Sequence, residues 1–532
     1  MYVFHKLKEC DSLELTYIVL LILAIIYVPF YLWVRFSPNA AKYGLVKYGP
    51  TVMIKTKLGT KLMEKWCIYT RFWRFFGTLS LVISAVLMIG IIFIMIVGMT
   101  NLASNLSAPG IGIEYALAIP GLNPILPIWY GIIGLFVAMI IHELAHGMQT
   151  RSNNMRVEST GLLYGVVPLG AFVEPNEEDV EKSTRRVKLD LYSAGISTNF
   201  IGAVVAFFLF AILMMGGISS SYGDNAAVYS MTGNSPAYEA GIPSGAIILE
   251  VDGHPYVYSD DYTFEDYSWK PGEPVTITYL TEDGERTTDK LVKWGLYIES
   301  ITSSSPAEKA GLKPKMFILS IGIYVEGSVE TYQMYGAPEF RSFINNTTPN
   351  TKTVITYAEL VGESWVENVI DVELSSKNGV GFLGVGTTTS GMNFMTPSMV
   401  LDKARNPING ADSVTSAATS IMAYIGGPFQ GFSPLPESVQ WWYDVPLEDL
   451  FWIIVSILYW IFWFNIMLGV SNAIPAYPFD GGFIFLGGLN GLLEKLGIKD
   501  RERREKISSS VTGYVSMIMI FMFVLMIASV VF

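Results

Sequence analysis

The chain has 532 residues, of which 51% are hydrophobic and only 15% charged, and its mean hydropathy is +0.40. A soluble domain carries about 25% charged residues, so this composition excludes an ordinary soluble protein and predicts a polytopic membrane protein with room for soluble domains. The two cysteines, Cys10 and Cys67, are far apart and in no CxxC pattern, which excludes a disulfide framework and a thiolate metal site; the four histidines are His5, His142, His146 and His254.

A spanning helix needs about 20 mostly apolar residues. Six segments meet that length: 15–35, 74–99, 129–149, 190–217, 449–471 and 509–532. The first is long enough to span and is followed by no small-residue cleavage site, so the N-terminus does not read as a cleaved signal peptide. A shorter apolar stretch at 109–128 carries four prolines and fits a surface or re-entrant segment. The loop 36–72 holds Lys42, Lys47, Lys55, Lys57, Lys61, Lys65 and Arg71 against Glu64 alone. Loops 150–189 and 472–508 are also rich in Lys and Arg. Basic loops stay cytosolic, and six alternating spans put all three on that side. Both termini and the long loop between the fourth and fifth spans then lie outside.

That long loop is where the acidity sits. Residues 221–400 hold 23 Asp plus Glu against 10 Lys plus Arg, a net of −13, while the whole chain carries −12. The charge therefore belongs to an outer domain and gives no reason to expect a nucleic-acid partner. Short β-type runs alternate here with Gly, Pro and Asp turns. The loop also repeats: Ser235-Pro236-Ala237-Tyr238-Glu239-Ala240-Gly241 recurs 70 residues later as Ser305-Pro306-Ala307-Glu308-Lys309-Ala310-Gly311. This period is too long for a solenoid and suits two copies of a small β-rich domain. SPAxxAG followed by a hydrophobic strand and Asp252-Gly253 resembles PDZ domains of membrane and periplasmic proteases. The second copy has Gly322-Ile323 in place of the Asp-Gly turn, so its hairpin is expected to differ. PDZ domains take up extended peptides along a sheet edge. Here they would either capture peptides or filter substrates by size.

The third span ends in His142-Glu143-Leu144-Ala145-His146. Positions i and i+4 share a helix face, so the two imidazoles can hold one zinc ion with Glu143 beside it to activate water. Ionisable groups inside an apolar helix are costly and mark function. Zinc needs a third protein ligand. His5 and His254 lie on the outer side, whereas Asp480 follows the fifth span on the cytosolic side, in Asn472-Ala473-Ile474-Pro475-Ala476-Tyr477-Pro478-Phe479-Asp480-Gly481-Gly482. The alternatives are a chance HExxH and a plain Pro/Gly turn at a membrane exit.

HExxH in one span, NxxPxxPxDG near a later one and PDZ-like repeats between them resemble the site-2 protease family of intramembrane zinc metalloproteases. The resemblance covers about 129–215, the repeats and 415–495. Within it, Gly170-Ala171-Phe172-Val173 resembles the membrane-inserted hairpin that pairs with substrate backbone. Ala194-Gly195-Ile196-Ser197-Thr198-Asn199 resembles AGPxxN, with Ile196 in place of proline, and Gly426-Gly427-Pro428 resembles a further Gly-Pro element. The resemblance implies one Zn2+ per chain on His142, His146 and Asp480, with Glu143 as general base. Asn472 and Asn199 are candidates to bind substrate backbone or stabilise the oxyanion; for each the alternative is an interhelical hydrogen bond.

The expected architecture is a polytopic α-helical membrane protein of about six spans with an inserted extracytosolic pair of PDZ-like domains. Its expected parts are an N-terminal membrane region (1–128, with the basic loop 36–72), a first catalytic part (129–217), PDZ-like domains at 218–295 and 296–400, and a second catalytic part (401–532). The expected location is the cell membrane, multi-pass, with the active site near the cytosolic face. The expected function is regulated intramembrane proteolysis of transmembrane protein substrates in the lipid bilayer. A non-proteolytic zinc-binding scaffold that docks peptides at its PDZ-like domains is the alternative, and Glu143 argues against it. A metal transporter is disfavoured because the spans contain no repeated halves.

Overall fold

The structure is a computed structural model and describes residues 12–100, 126–166, 168–256, 269–325, 328–362, 364–377, 379–408, 410–430 and 435–531. Most of the proline-rich stretch at 109–128 falls outside the described residues. Two compact units appear, one from 1–213, 425–431 and 449–532, the other from 214–424 and 432–448.

The first unit is helical. Its helices are α1 (Ser12–Phe36), α2 (Thr60–Trp66), α3 (Thr70–Thr100), α4 (Ile128–Ser152), α5 (Glu177–Lys182), α6 (Arg185–Gly216), α7 (Asp449–Asn472), α8 (Asp480–Lys495) and α9 (Arg501–Val531). Five of them, α3, α4, α6, α7 and α9, are long and apolar enough to cross a membrane. The sixth expected span, 15–35, lies within α1; its described side chains begin at Leu21, and the stretch Leu21–Phe36 is by itself too short to qualify.

Small residues set how closely the central helices pack. A Cβ on Gly134 of α4 would lie 2.6 Å from the Trp460 carbonyl oxygen of α7, and one on Gly469 of α7 would lie 3.3 Å from the Asn199 Cβ of α6. Such positions let apolar helices approach where no hydrophobic effect drives them together. A polar seam joins α3 to α6: Ser84 Oγ donates to the Ser193 carbonyl at 3.1 Å and Ser197 Oγ to Ser80 Oγ at 2.6 Å.

The loop 36–72, outside the sequence resemblance, supplies two strands. β1 (Leu45–Tyr48) and β2 (Thr51–Thr56) join the hairpin of β3 (Val157–Tyr164) and β4 (Pro168–Pro175) in a four-stranded antiparallel sheet of order β1-β2-β3-β4. Val52 pairs with Tyr164 and Thr56 with Thr160; Thr160 in turn pairs with Val173 and Leu162 with Ala171. β4 is an edge strand. Lys55 Nζ contacts both oxygens of Glu174 on β4 at 2.9 and 2.7 Å, so the basic loop grips that edge. The Lys55 contact, followed by one from Ser159, holds the Glu174 carboxyl below its ordinary range. A carboxyl with a lowered folded-state pKa stabilises above its unfolded pKa, and that gain is lost as pH falls through the folded value. Lys55→Met is therefore expected to destabilise by up to about 1 kcal/mol at pH 7, with the difference from wild type closing in acid below about pH 4. Melting curves at several pH values check this; an unchanged gap in acid would refute it.

The second unit is a β-rich body. Its strands are β5 (Ala227–Met231), β6 (Ile247–Val251), β7 (Ile277–Thr281), β8 (Gly284–Thr287), β9 (Leu296–Ile301), β10 (Phe317–Val325), β11 (Lys352–Val361), β12 (Ser364–Glu373), β13 (Val385–Thr389) and β14 (Met392–Met395), in one sheet of order β8-β7-β6-β5-β14-β13-β9-β10-β11-β12. The repeated SPAxxAG stretch is a short capped helix in each copy. Ser235 and Ser305 accept from the backbone N–H groups of Tyr238 and Glu308, proline takes the first turn, and Gly241 and Gly311 end each turn at φ +84° and +85°. In the first copy Asp252 and Gly253 both have positive φ and turn the chain back sharply. In the second, β10 runs straight on through Gly322 and pairs with Ser328–Gln333.

The two copies have separate hydrophobic cores, one around Ile248, Ile277 and Trp294, the other around Ile318, Ile321 and Ile355. They are not end to end in sequence. β13 pairs with β9 of the second copy, whereas β14 pairs with β5 of the first and adds Met392 and Phe394 to the first core. The chain of the second copy thus lies between two parts of the first. Residues 432–448 belong to this unit as well: Trp442 Nε1 donates to the Gly245 carbonyl at 2.8 Å, and Tyr443 pairs with Ser220.

Candidate metal centre

His142 and His146 lie one turn apart near the C-terminal end of α4, and Asp480 is the first residue of α8. Asp480 Oδ2 is 3.2 Å from the Nε2 atom of each histidine, and the two Nε2 atoms are 3.1 Å apart. The three side chains are nearly enclosed, at 6%, 12% and 14% exposure. Two glycines after Asp480 make this possible. A Cβ on Gly481 would lie 2.4 Å from the Ile474 carbonyl oxygen, and one on Gly482 would lie 2.8 Å from the Ala476 carbonyl carbon. The first turn of α8 therefore folds tightly onto the Pro-containing segment that precedes it, which brings Asp480 back to α4.

The second ring nitrogens fix which atoms face the centre. His142 Nδ1 is 3.0 Å from Asn199 Oδ1, and Asn199 Nδ2 donates to the Ala138 carbonyl at 3.4 Å, which sets the orientation of the amide. His146 Nδ1 is 2.8 Å from the Leu191 carbonyl oxygen. Both Nδ1 atoms face acceptors and so carry the protons, which leaves a lone pair on each Nε2. The two lone pairs and the Asp480 oxygen, which has no hydrogen-bond donor among the described residues, then converge on one point. Three buried acceptors facing one another are unfavourable without a cation between them. Two imidazoles and one carboxylate with an open side are a donor set that suits zinc. Among the described residues, these are the group of His, Cys, Asp and Glu placed to hold a metal ion.

Gly195 closes the centre from α6. A Cβ there would lie 2.6 Å from His142 Nε2 and 2.6 Å from His146 Nε2. Gly195→Ala is expected to leave the helices intact and to cut metal affinity by at least about 10-fold, as displaced ligand surroundings do. Competition with a zinc chelator measures this, and unchanged affinity would show that the rings have room to move.

Glu143 points to the β4 edge, where its Oε2 accepts from the Val173 backbone N–H at 2.9 Å. With Val173 directed outward, the alternation of a regular antiparallel ladder turns the backbone N–H and C=O of Ala171 the same way, while Gly170 and Phe172 bond to β3. A cavity of about 640 Å³ opens over the centre and is lined by Glu143, His146, Val173, Leu191, Tyr192 and Asp480, with Glu174, Glu177, Glu181 and Lys188 among the outer residues.

The structure thus brings His142, Glu143, His146, Asp480 and Val173 together. Asn199 is fully buried and meets protein groups at both ends of its amide, which is the interhelical bond and orients His142; it is not free to meet substrate. Asn472 donates to the Leu468 carbonyl of its own helix at 3.1 Å and is not part of the cavity wall. Sequence reading missed Tyr192 and the Leu191 carbonyl, because nothing in a local pattern announces which carbonyl or phenol a distant helix will meet.

Comparison with known proteins agrees with this geometry. The family model described as "Peptidase family M50" matches residues 130–525. The chain is 29% identical over 283 residues to an "Uncharacterized protein" of Methanocaldococcus jannaschii, an alignment covering 53% of this chain and 72% of that one. It is 25% identical over 245 residues to a "Putative zinc metalloprotease" of Clostridium perfringens, covering 43% and 68%. With the match running through the HELAH helix and the Asp480 segment alike, the chain belongs to peptidase family M50, the site-2 protease family, and is a membrane metalloprotease of the zinc type.

Proposed function

We propose that this protein hydrolyses peptide bonds within or next to transmembrane segments of membrane-protein substrates, as regulated intramembrane proteolysis requires. The observation that carries the reading is the joining of three parts at the end of one spanning helix: the His142–His146–Asp480 ligand set, Glu143, and the edge strand β4. A peptide bond inside a helix is shielded by the helix's own hydrogen bonds, and in a bilayer no water replaces them. The substrate must unwind, and an added strand along the outward N–H and C=O of Ala171 and the carbonyl of Val173 compensates its freed backbone groups. Zinc, when bound by His142, His146 and Asp480, supplies Lewis acidity to water and to the scissile carbonyl. Glu143 takes a proton from the water as its oxygen bonds to the carbonyl carbon, and gives it to the amide nitrogen as the C–N bond breaks.

The basic loops put the catalytic end of α4 near the cytosolic face and the paired β domains on the other side, so those domains capture peptides or screen substrates before entry and take no part in the cut. Their repeated turns and strands support a PDZ-like role. The products are a shortened membrane stub and a fragment released to the cytosol.

The test is cleavage of tagged single-span proteins by pure, zinc-loaded protein in liposomes, with product masses locating the cut. Cuts within or beside the span support the reading. Cleavage of water-soluble peptides alone would overturn it.

A further inference from the structure

Amide hydrolysis places negative charge on the carbonyl oxygen, and a positioned donor aimed at that oxygen is worth a large share of the rate. Of the two asparagines that the sequence offers for this role, Asn199 is held by His142 and Ala138, and Asn472, with one N–H on the Leu468 carbonyl, is not among the residues lining the cavity. The remaining donors on the cavity wall are few. The Val173 N–H points at Glu143, and Lys188 Nζ donates to the Glu181 carbonyl at 3.2 Å. Tyr192 is different. It lines the cavity together with Glu143, His146 and Asp480, it is half-buried, and its hydroxyl has no hydrogen-bond partner among the described residues.

Tyr192 is also tied to both ligand-bearing elements. The residue before it, Leu191, holds His146 through its carbonyl. Its ring stacks on Phe483, with centroids 4.4 Å apart and planes 10° from parallel. Phe483 sits three residues after Asp480 on the first turn of α8 and is braced in turn by the edge of Tyr477 at 5.0 Å. A ring stacked on the α8 turn, carried by the residue next to the carbonyl that orients His146, keeps its place relative to the metal ligands. Preorganisation of this kind gives an electrostatic contact its catalytic value.

We propose that the Tyr192 hydroxyl donates a hydrogen bond to the scissile carbonyl oxygen as charge develops there, so that Tyr192 is a catalytic residue of the cleavage described above, on which this inference rests. The phenol stays protonated throughout; it supplies a dipole and gives up no proton.

Tyr192→Phe keeps the ring and its stack on Phe483. Its expected effects are a fall in kcat of roughly 10²–10³-fold, an unchanged KM for a single-span substrate, and unchanged zinc content. A second readout is independent of turnover. A phosphinic peptide built on the substrate sequence carries an anionic oxygen at the carbonyl position. It should bind Tyr192→Phe more weakly than wild type by a comparable factor. An uncleaved substrate should bind Glu143→Gln equally well with and without Tyr192→Phe. Wild-type kcat and wild-type affinity for the phosphinic peptide in Tyr192→Phe would overturn the proposal while leaving the protease reading intact, and so would loss of zinc, which would make the residue structural. A protein that cuts no membrane substrate under zinc, with Glu143→Gln indistinguishable from wild type, would overturn both.

Discussion

Glu143→Gln is expected to lower cleavage of a single-span substrate by about 10²–10⁴-fold, the range over which a positioned general base contributes. The variant should fold and bind metal as wild type does. The side-chain amide keeps an oxygen that can accept from the Val173 N–H, so the contact between α4 and the β4 edge survives the change. Glu143 is not one of the three converging ligands, so metal stoichiometry should not move. What is lost is basicity: an amide oxygen does not take a proton from water near neutral pH. Cleavage of a tagged substrate by pure protein, followed with metal analysis on the same sample, separates these effects. Residual cleavage at the wild-type rate would remove Glu143 from the chemistry and, with it, the protease reading that requires a base beside the metal.

The second large effect is expected from Asp480→Ala. Disturbing a neighbour that merely orients a ligand costs about 10–100-fold in metal affinity, and removing the carboxylate ligand should cost more than that. Bound zinc should fall well below one per chain after dialysis, and activity should fall with it. The fold has reason to persist. The tight turn that carries Asp480 depends on Gly481 and Gly482, on the backbone bond from Gly482 to the Phe479 carbonyl, and on Tyr477 N donating to Ser516 Oγ of α9 at 3.0 Å. None of these involves the carboxylate. Unchanged zinc content in a folded Asp480→Ala protein would leave the two histidines seeking another third ligand.

The features legible in the sequence are those whose physics is local. HELAH puts two imidazoles on one face because helical spacing does so in any context. Five of the six segments chosen by apolar length are helices long and apolar enough to span. The SPAxxAG repeat announces a capped helical turn, since serine, proline and glycine act there on their immediate neighbours. The joining of Asp480 to the histidines is legible only through topology, since both segments leave the membrane on the side of the basic loops.

Other features depend on which distant surfaces meet, and no local pattern carries them. Asn199 can be read in sequence as a substrate ligand or as an interhelical bond, and in the structure its amide is turned to His142 because α6 packs against α4. The basic loop 36–72 looks like a topology signal; two of its segments are strands that hold the β3–β4 hairpin, in part through Lys55 and Glu174. The second copy of the repeat follows the first in sequence, yet β14 returns to complete the first core, because strand pairing is chosen by edge complementarity across long separations.

The sequence by itself determined the chemistry class: a membrane protein with an HExxH helix, a distant Asp-Gly-Gly segment and a repeated acidic domain. These are matters of composition, helical period and charge, which need no knowledge of packing. Only the tertiary structure decided how the centre is finished. It placed the Leu191 carbonyl and Asn199 on the outer nitrogens, so that both lone pairs face Asp480. It put Gly195 where any side chain would strike the rings, and Tyr192 on the cavity wall with no hydrogen-bond partner for its hydroxyl among the described residues. Each of these follows from close approach between α4, α6 and α8, and helix approach is set by the summed fit of whole surfaces.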